Sequence, residues 1–186
     1  MEWLFNCHPH TVGRVMDYAT ARPLIRSGDL IAQSGGSWKS WHGIKVNVVR
    51  IATRSTYSHV GIAWVIGGRV FILEAVTPKL RIYPVSKIGE FYLLPMYAKW
   101  ADTTEHLALE NVGVDYSERV AVRAFFKPLQ EDDVRQCAAY ALAVLRADGI
   151  KLGNRATPDA VVLAAMRRGA DCTLITQKDL HAVTRS

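Results

Sequence analysis

The sequence predicts an α+β fold in which helices precede and follow an antiparallel sheet along the chain. Between residues 57 and 97 the chain is rich in β-branched and aromatic residues and is broken by a Gly-Gly pair, which is typical of strands joined by a hairpin. The segments on either side carry apolar residues at helical spacing. With 186 residues, 49% hydrophobic and 22% charged, we expect one globular domain over residues 1–186 and not a chain that is disordered throughout.

The first part of the chain predicts two helices and a short strand. Residues 11–20 are predicted to form a short helix that Thr11 caps and Pro23 ends. After Gly28 and Asp29, residues 30–32 form an apolar run that predicts a strand. A longer helix is predicted over residues 38–53, where apolar residues recur at helical spacing. These residues are Trp41, Ile44, Val48, Val49 and Ala52.

The middle of the chain predicts the sheet. Residues 57–66 and 69–77 form two strand-like runs separated by Gly67 and Gly68, a strong signal for a two-residue hairpin turn. Residues 81–85 and 91–97 predict two further strands. Because Pro84 lacks a backbone N–H, the first of these is expected at an edge of the sheet.

The rest of the chain predicts four helices. The last of them begins with Thr157 as its cap and Pro158 at its first position, the two residue types that those positions favour. The predicted helices span residues 103–112, 117–126, 132–147 and 158–168.

The hairpin register is expected to bring His59 and Glu74 together. A two-residue turn at 67–68 pairs Ile66 with Arg69. Because side chains alternate along a strand, His59 and Glu74 then share a face at diagonal positions, about 7–8 Å apart between backbones. A carboxylate in that position can fix the tautomer of an imidazole and stabilise its charged form.

Other interpretations of this face stay open. His59 is equally well explained as an ordinary strand histidine, and Glu74 either as a solvent-facing group or as a partner of Lys79 or Arg81. Small residues on the same face leave room for another group to pack close. The face also carries Tyr57, Gly61 and Ala63.

The cysteines supply one candidate nucleophile. They stand at positions 7, 137 and 172, and so sparse and odd a number argues against a disulfide framework and favours a reducing compartment. Cys137 falls in the first two turns of the predicted helix over residues 132–147, where the partial positive charge of the helix favours a thiolate. The alternative is a buried structural cysteine.

The remaining cysteines have no such context, and the roles of Cys7 and Cys172 stay open. Cys7, His8 and His10 together have the side chains to bind a metal ion. Three ligands close to the beginning of the chain with no distant partner disfavour that interpretation. We therefore expect neither a metal nor a cofactor.

Four sequence segments carry a resemblance to a known family. They are Gly28-Asp29-Leu30-Ile31, the segment from Thr53 to Ile62 (TRSTYSHVGI), Leu73-Glu74-Ala75, and the turn Gly113-Val114-Asp115-Tyr116-Ser117. In this order and spacing they resemble the permuted NlpC/P60 papain-like proteins of the YiiX/YebB type. The resemblance covers about residues 24–168.

The resemblance implies a circularly permuted papain-like fold in which the sheet packs against the helix that carries the nucleophile. It implies Cys137 as the nucleophile, His59 as the general base and Glu74 as the residue that orients the imidazole, with Tyr57 binding substrate or the oxyanion. The implied activity is a cysteine hydrolase or acyltransferase that acts on an amide, ester or thioester bond. The implied substrate is a cell-wall peptide or an acyl lipid.

One departure from the family pattern keeps an alternative open. The family begins its nucleophile helix with Cys-Ser-Glu, whereas this chain has Cys137-Ala138-Ala139. A second alignment would place Thr157-Pro158-Asp159 on that motif and leave no thiol, and we disfavour it because residues 132–147 follow the Tyr116 turn at a better distance. The alternative function is a catalytically weak or inactive papain-like module that serves interaction or structure.

Charge and targeting signals give weaker expectations. The chain has 23 Lys and Arg against 17 Asp and Glu, a net charge of +6. Basic residues accompany Trp38 and Trp41 within residues 38–54, and such a helix can lie on an anionic membrane surface. The same pattern also fits a core-facing stripe with a solvated basic face. Nucleic acid is disfavoured as a partner because the basic residues are spread over many segments without a binding motif.

The first ten residues lack the basic and apolar regions of a signal peptide, so we expect a cytoplasmic protein. A wall-acting enzyme would then leave the cell by lysis or as part of a virus particle. The substrate, the oligomeric state and the choice between hydrolysis and transfer stay open.

Overall fold

The computed structural model describes residues 13–34, 56–76, 79–110, 112–113 and 133–177, with backbone alone for residues 133–136. These residues form an α+β fold with a mixed seven-stranded sheet and four helices. The strands are β1 (Arg14–Asp17), β2 (Leu30–Gln33), β3 (His59–Ile66), β4 (Arg69–Val76), β5 (Lys79–Pro84), β6 (Phe91–Leu94) and β7 (Thr173–Thr176). The helices are α1 (Tyr18–Ala21), α2 (Asp102–Leu109), α3 (Asp133–Ala147) and α4 (Pro158–Arg167).

The sheet has the strand order β1-β7-β6-β2-β3-β4-β5. Its strands pair antiparallel from β7 to β5, and β1 pairs parallel to β7. The prediction of an antiparallel sheet is therefore wrong for this one pair. Its two strands are far apart in sequence, so no hairpin turn dictates their relative direction.

The N-terminal prediction of a helix over residues 11–20 is wrong for most of its described part. Residues Arg14–Asp17 form strand β1, and only Tyr18–Ala21 is helical, with the Asp17 carboxylate accepting a hydrogen bond of 3.1 Å from the Thr20 amide. The local helix propensity yields here to pairing with β7, which the sequence analysis did not predict.

The hairpin is confirmed with its register. Ile66 pairs with Arg69 and the pairing continues to Ile62 and Leu73. Gly67 and Gly68 have φ angles of 54° and 70°, which a two-residue hairpin turn of this kind requires of its central residues. The expected edge strand is also confirmed, because β5 is the last strand of the sheet.

Of the helices predicted after residue 100, the three that the structure describes are confirmed. Helices α2, α3 and α4 match the predicted segments to within three residues at each end. The Thr157 hydroxyl caps α4 by accepting from the Ala160 amide, as its position predicted. The helices predicted over residues 38–53 and 117–126 lie outside the described residues.

Each face of the sheet carries its own hydrophobic cluster. Helix α3 packs on β3 and β4, and its Cys137 belongs to the cluster that also contains the alternate residues Val60, Ile62, Leu73 and Ala75. The second cluster contains residues of the opposite alternation. Among them are Ile31, Ala63, Val70, Ile72 and Phe91. None of the helices in the described part of the chain is long and apolar enough to cross a membrane.

Candidate active site

The predicted pair of His59 and Glu74 forms a direct hydrogen bond. His59 is the first residue of β3, and Glu74 lies in β4 beyond the Ile62–Leu73 pair. The His59 Nε2 atom is 2.7 Å from the Glu74 Oε2 atom. The Glu74 side chain is 2% exposed and that of His59 is 20% exposed, so the contact lies in the protein interior with one side near solvent.

The second oxygen of Glu74 binds Arg81. Arg81 stands directly opposite Glu74 in the β4–β5 register. Its Nε atom donates to Glu74 Oε1 at 2.7 Å, and its Nη2 atom lies 2.6 Å from the same oxygen. The guanidinium carbon also lies 4.7 Å from the centre of the Tyr83 ring. The pairings of Glu74 with His59 and with Arg81 are therefore both present, whereas the interpretation of Glu74 as a solvent-facing group is wrong, because its side chain is 2% exposed.

The thiol of Cys137 completes a chain of contacts with His59. Helix α3 brings Cys137 against β3 and β4, and the charge and hydrogen bonding of its side chain act on His59 to raise the pKa of the imidazole. Cys137 is 0% exposed. The arrangement is thus a buried thiol, an imidazole and a carboxylate in series.

The electrostatics of this series favour a charged imidazole. Burial alone would lower the pKa of His59, but the charge and hydrogen bond of Cys137 and those of Glu74 outweigh it and raise the pKa from 6.5 to about 10. Burial likewise opposes ionisation of Glu74. The hydrogen bonds and charges of His59 and Arg81 outweigh that effect and hold the pKa of Glu74 below its usual value.

Tyr57 lies close to the site in sequence but contacts a different set of groups. Its hydroxyl is 3.8 Å from the sulfur of Cys172, and its ring packs edge-on against Tyr92 with centroids 5.1 Å apart. Burial, and to a lesser extent Cys172, raises the pKa of Tyr57 above its usual value. Its role in binding substrate or the oxyanion stays a prediction. Cys172 is buried beside it.

Asp159 is a site-supporting residue whose contact the sequence analysis did not identify. Its Oδ1 atom accepts hydrogen bonds from the amides of Thr56 at 3.1 Å and Tyr57 at 2.9 Å. These amides immediately precede β3, so the first turn of α4 fixes the chain where it approaches His59. The Thr157-Pro158-Asp159 motif predicted that a helix begins here and so placed Asp159 in its first turn. The motif did not predict that the Asp159 carboxylate binds a segment distant in sequence.

The space expected above Gly61 is filled by the protein itself. A Cβ atom at Gly61 would lie 2.7 Å from the Leu73 carbonyl oxygen and 2.7 Å from side-chain atoms of Ile72. Ile72 is fully buried. The glycine therefore allows close packing within the hairpin, and the expectation of open space for another group is wrong at this position.

Among the described residues, no group of three or more His, Cys, Asp or Glu side chains has an arrangement that could hold a metal ion. The N-terminal Cys7, His8 and His10 lie outside the described residues. The expectation of no metal and no cofactor therefore stays a prediction.

Comparisons with known proteins give a limited likeness. No protein-family profile and no curated protein matches this chain. Among solved structures, the chain is similar to the crystal structure of the metalloprotein YiiX from Escherichia coli O157:H7. The TM-score is 0.47 and the identity 20%, and the similarity covers 69% of this chain and 69% of that one.

Proposed function

We propose that this protein is a cysteine hydrolase or acyltransferase with a circularly permuted papain-like fold of the NlpC/P60 type. The observation that carries the proposal is the series formed by Cys137, His59 and Glu74, in which Glu74 hydrogen-bonds the His59 ring and Cys137 raises the pKa of the same ring. A thiol, an imidazole and an orienting polar group in this order can generate and use a sulfur nucleophile. The sequence resemblance to the permuted family supports the same assignment of roles.

In the first half of the reaction, the Cys137 thiolate attacks the carbonyl carbon of an amide, ester or thioester. A carbon–sulfur bond forms, and the carbonyl electron pair moves to oxygen. When this intermediate collapses, the bond to the leaving group breaks and the His59 imidazolium gives its proton to that group. The raised pKa of His59 supports this step, since the imidazole already carries the proton to be transferred.

In the second half, neutral His59 accepts a proton from water as the water oxygen attacks the thioester carbon. The carbon–sulfur bond breaks, the carboxylic acid leaves, and the thiolate–imidazolium pair is restored. An alcohol or amine in place of water gives acyl transfer by the same steps. Glu74 accepts the Nε2 hydrogen throughout and keeps the other ring nitrogen directed at the sulfur.

The backbone amides at the beginning of helix α3 are proposed to bind the oxyanion of the tetrahedral intermediate. The amides of the first turn of a helix have no acceptor within that helix, and in α3 this turn comprises residues 133–136. They lie within the turn that precedes Cys137, and their dipoles favour negative charge.

The proposed substrate is a cell-wall peptide or an acyl lipid. An anionic membrane surface, bound by residues 38–54, is the proposed partner.

One observation favours a second candidate, a catalytically weak or inactive module on the same fold. Cys137 is 0% exposed, whereas acylation requires that a substrate carbonyl reach its sulfur. The Ala138-Ala139 pair that follows it also differs from the Ser-Glu of the family pattern. Under this candidate the series of contacts stabilises the protein interior and performs no chemistry.

Labelling with a thiol-reactive acyloxymethyl ketone probe separates the two candidates. The enzyme predicts that the probe modifies Cys137, identified by peptide mass spectrometry, and that His59→Ala abolishes the modification. The exposed His106→Ala serves as the matched control and should label like the wild type. Labelling confined to Cys7 or Cys172 would reject the enzyme and favour the inactive module.

A further inference from the structure

Among the residues that the structure describes, Arg81 is the charged group on Glu74 that the proposed mechanism does not use. Two of its nitrogens lie 2.6–2.7 Å from Glu74 Oε1, and neither contacts the oxygen that faces His59. The guanidinium fork thus converges on one carboxylate oxygen and holds it by two charge-assisted contacts. Arg81 therefore binds Oε1 while Oε2 faces the His59 ring.

The position of Arg81 suits it to hold the Glu74 carboxylate in place. Its guanidinium lies over the Tyr83 ring, and the register sets it directly opposite Glu74 in the neighbouring strand. Stacking on an aromatic face and pairing across two strands both restrict its rotamers, so the fork is ordered before it binds the carboxylate. The side chain is 49% exposed, which keeps part of the guanidinium hydrated while its partner is buried.

The mechanism also creates a need for a second cation. When His59 gives its proton to the leaving group, Glu74 loses its imidazolium partner while it remains buried. A buried carboxylate without a cation tends to take up a proton, and it would then be unable to hold the ring by its charge. Arg81 remains positively charged throughout.

We propose that Arg81 is a positioning residue of this site, which keeps the Glu74 carboxylate ionised and its Oε2 directed at His59 through the whole reaction cycle. This inference rests on the proposed function, because it concerns the same series of groups. In the described part of the chain, the titratable and charged groups that act on Glu74 are His59 from β3 and Arg81 from β5, and Cys137 from α3 acts on His59.

The test measures the rate of Cys137 alkylation by iodoacetamide against pH in the full chain. In Arg81→Gln, we expect the acidic limb of the profile to move to higher pH by about one unit, since a cation near a carboxyl lowers its pKa by about 1–3 units. Arg81→Lys keeps the charge and should return the limb to the wild-type position. It should still lower the plateau rate severalfold, because an ammonium lacks the fork.

The outcomes separate this inference from the proposed function. If His59→Ala slows alkylation of Cys137 but the Arg81→Gln profile superimposes on the wild type, Arg81 has no positioning role. The positioning role would also be overturned if the acidic limb of the Arg81→Lys profile moved as far as that of Arg81→Gln. The positive charge would then have no effect, and loss of a merely structural contact would explain the shifts in both variants. If His59→Ala leaves the alkylation rate unchanged, the proposed function fails and the role of Arg81 fails with it. Melting temperatures of all variants, including the exposed control Lys87→Gln, identify any loss of folding.

Discussion

The Nε2 atom of His59 lies 2.7 Å from the Oε2 atom of Glu74, and this contact, together with Cys137, favours the charged form of the imidazole. Replacing Glu74 by Gln keeps a hydrogen-bond acceptor but removes the negative charge. Because an opposite charge at this distance stabilises the imidazolium, we expect Glu74→Gln to lower the pKa of His59 by about one unit or more. An NMR titration of the histidine ring protons measures the change.

The matched control for this titration is Glu90→Gln, which removes an equal charge from an exposed position. It should leave the pKa of His59 at its wild-type value. Equal shifts in the two variants would mean that net charge, and not the contact with Glu74, determines the charge state of His59.

His59 should also make the stability of the protein depend on pH. Its pKa is raised from 6.5 to about 10 on folding, so the folded state binds the proton more tightly than the unfolded state. The resulting stabilisation is complete below about pH 6.5 and is lost as the pH rises towards 10. Urea unfolding at pH 6, 8 and 10 should therefore give a falling free energy of unfolding in the wild type.

In His59→Gln this loss of stability with pH should be smaller, because the titrating group is absent. The exposed His106→Gln is the control and should follow the wild type. Parallel curves for wild type and His59→Gln would show that other groups cause the dependence.

Gly61 should tolerate no side chain. A Cβ atom there would lie 2.7 Å from a backbone oxygen, and backbone cannot move aside as a flexible side chain can. We expect Gly61→Ala to lower the free energy of unfolding by about 1–3 kcal/mol, as overpacking of an interior does. Gly89→Ala is the control, since a Cβ atom at Gly89 meets no atom within 4 Å. A loss in Gly61→Ala no larger than that in Gly89→Ala would contradict the packing described.

Asp159 should stabilise the approach to β3. Its carboxylate accepts from the amides of Thr56 and Tyr57, and removal of a charged acceptor costs about 1–3 kcal/mol. Urea unfolding of Asp159→Ala should show that loss. Asp159→Asn should recover part of it, because an amide oxygen still accepts. The exposed Asp171→Ala is the control, and a similar loss there would remove the specific role of Asp159.

The sequence could predict the parts of the site that depend on local geometry. The glycine pair specifies the turn, the turn specifies the register, and the register brings His59 and Glu74 together because side chains alternate. Helix α4 could be predicted equally well, since the residue types at its cap and first position have strong positional preferences. In each case the determining contacts lie within about twenty residues of one another.

Long-range contacts were beyond this reasoning. The pairing of β1 with β7 joins the two ends of the described chain, and no local pattern in residues 14–17 indicates it. Strict alternation would also separate His59 from Cys137, because the cluster around Cys137 contains Val60 and Ile62. His59 is nevertheless influenced by Cys137 from its place as the first residue of β3, outside the paired stretch that ends at Ile62 and Leu73. Residue spacing alone could not predict this interaction.

The most direct measurement of the central claim is the capture of an acyl group on Cys137. The chain is mixed with p-nitrophenyl butyrate, quenched in acid within seconds and analysed by peptide mass spectrometry. We predict a butyryl thioester on Cys137 that hydroxylamine removes, which forms also in Cys172→Ser and is lost in His59→Ala. No acyl group on Cys137, or equal acylation in wild type and His59→Ala, would contradict a nucleophile activated by His59.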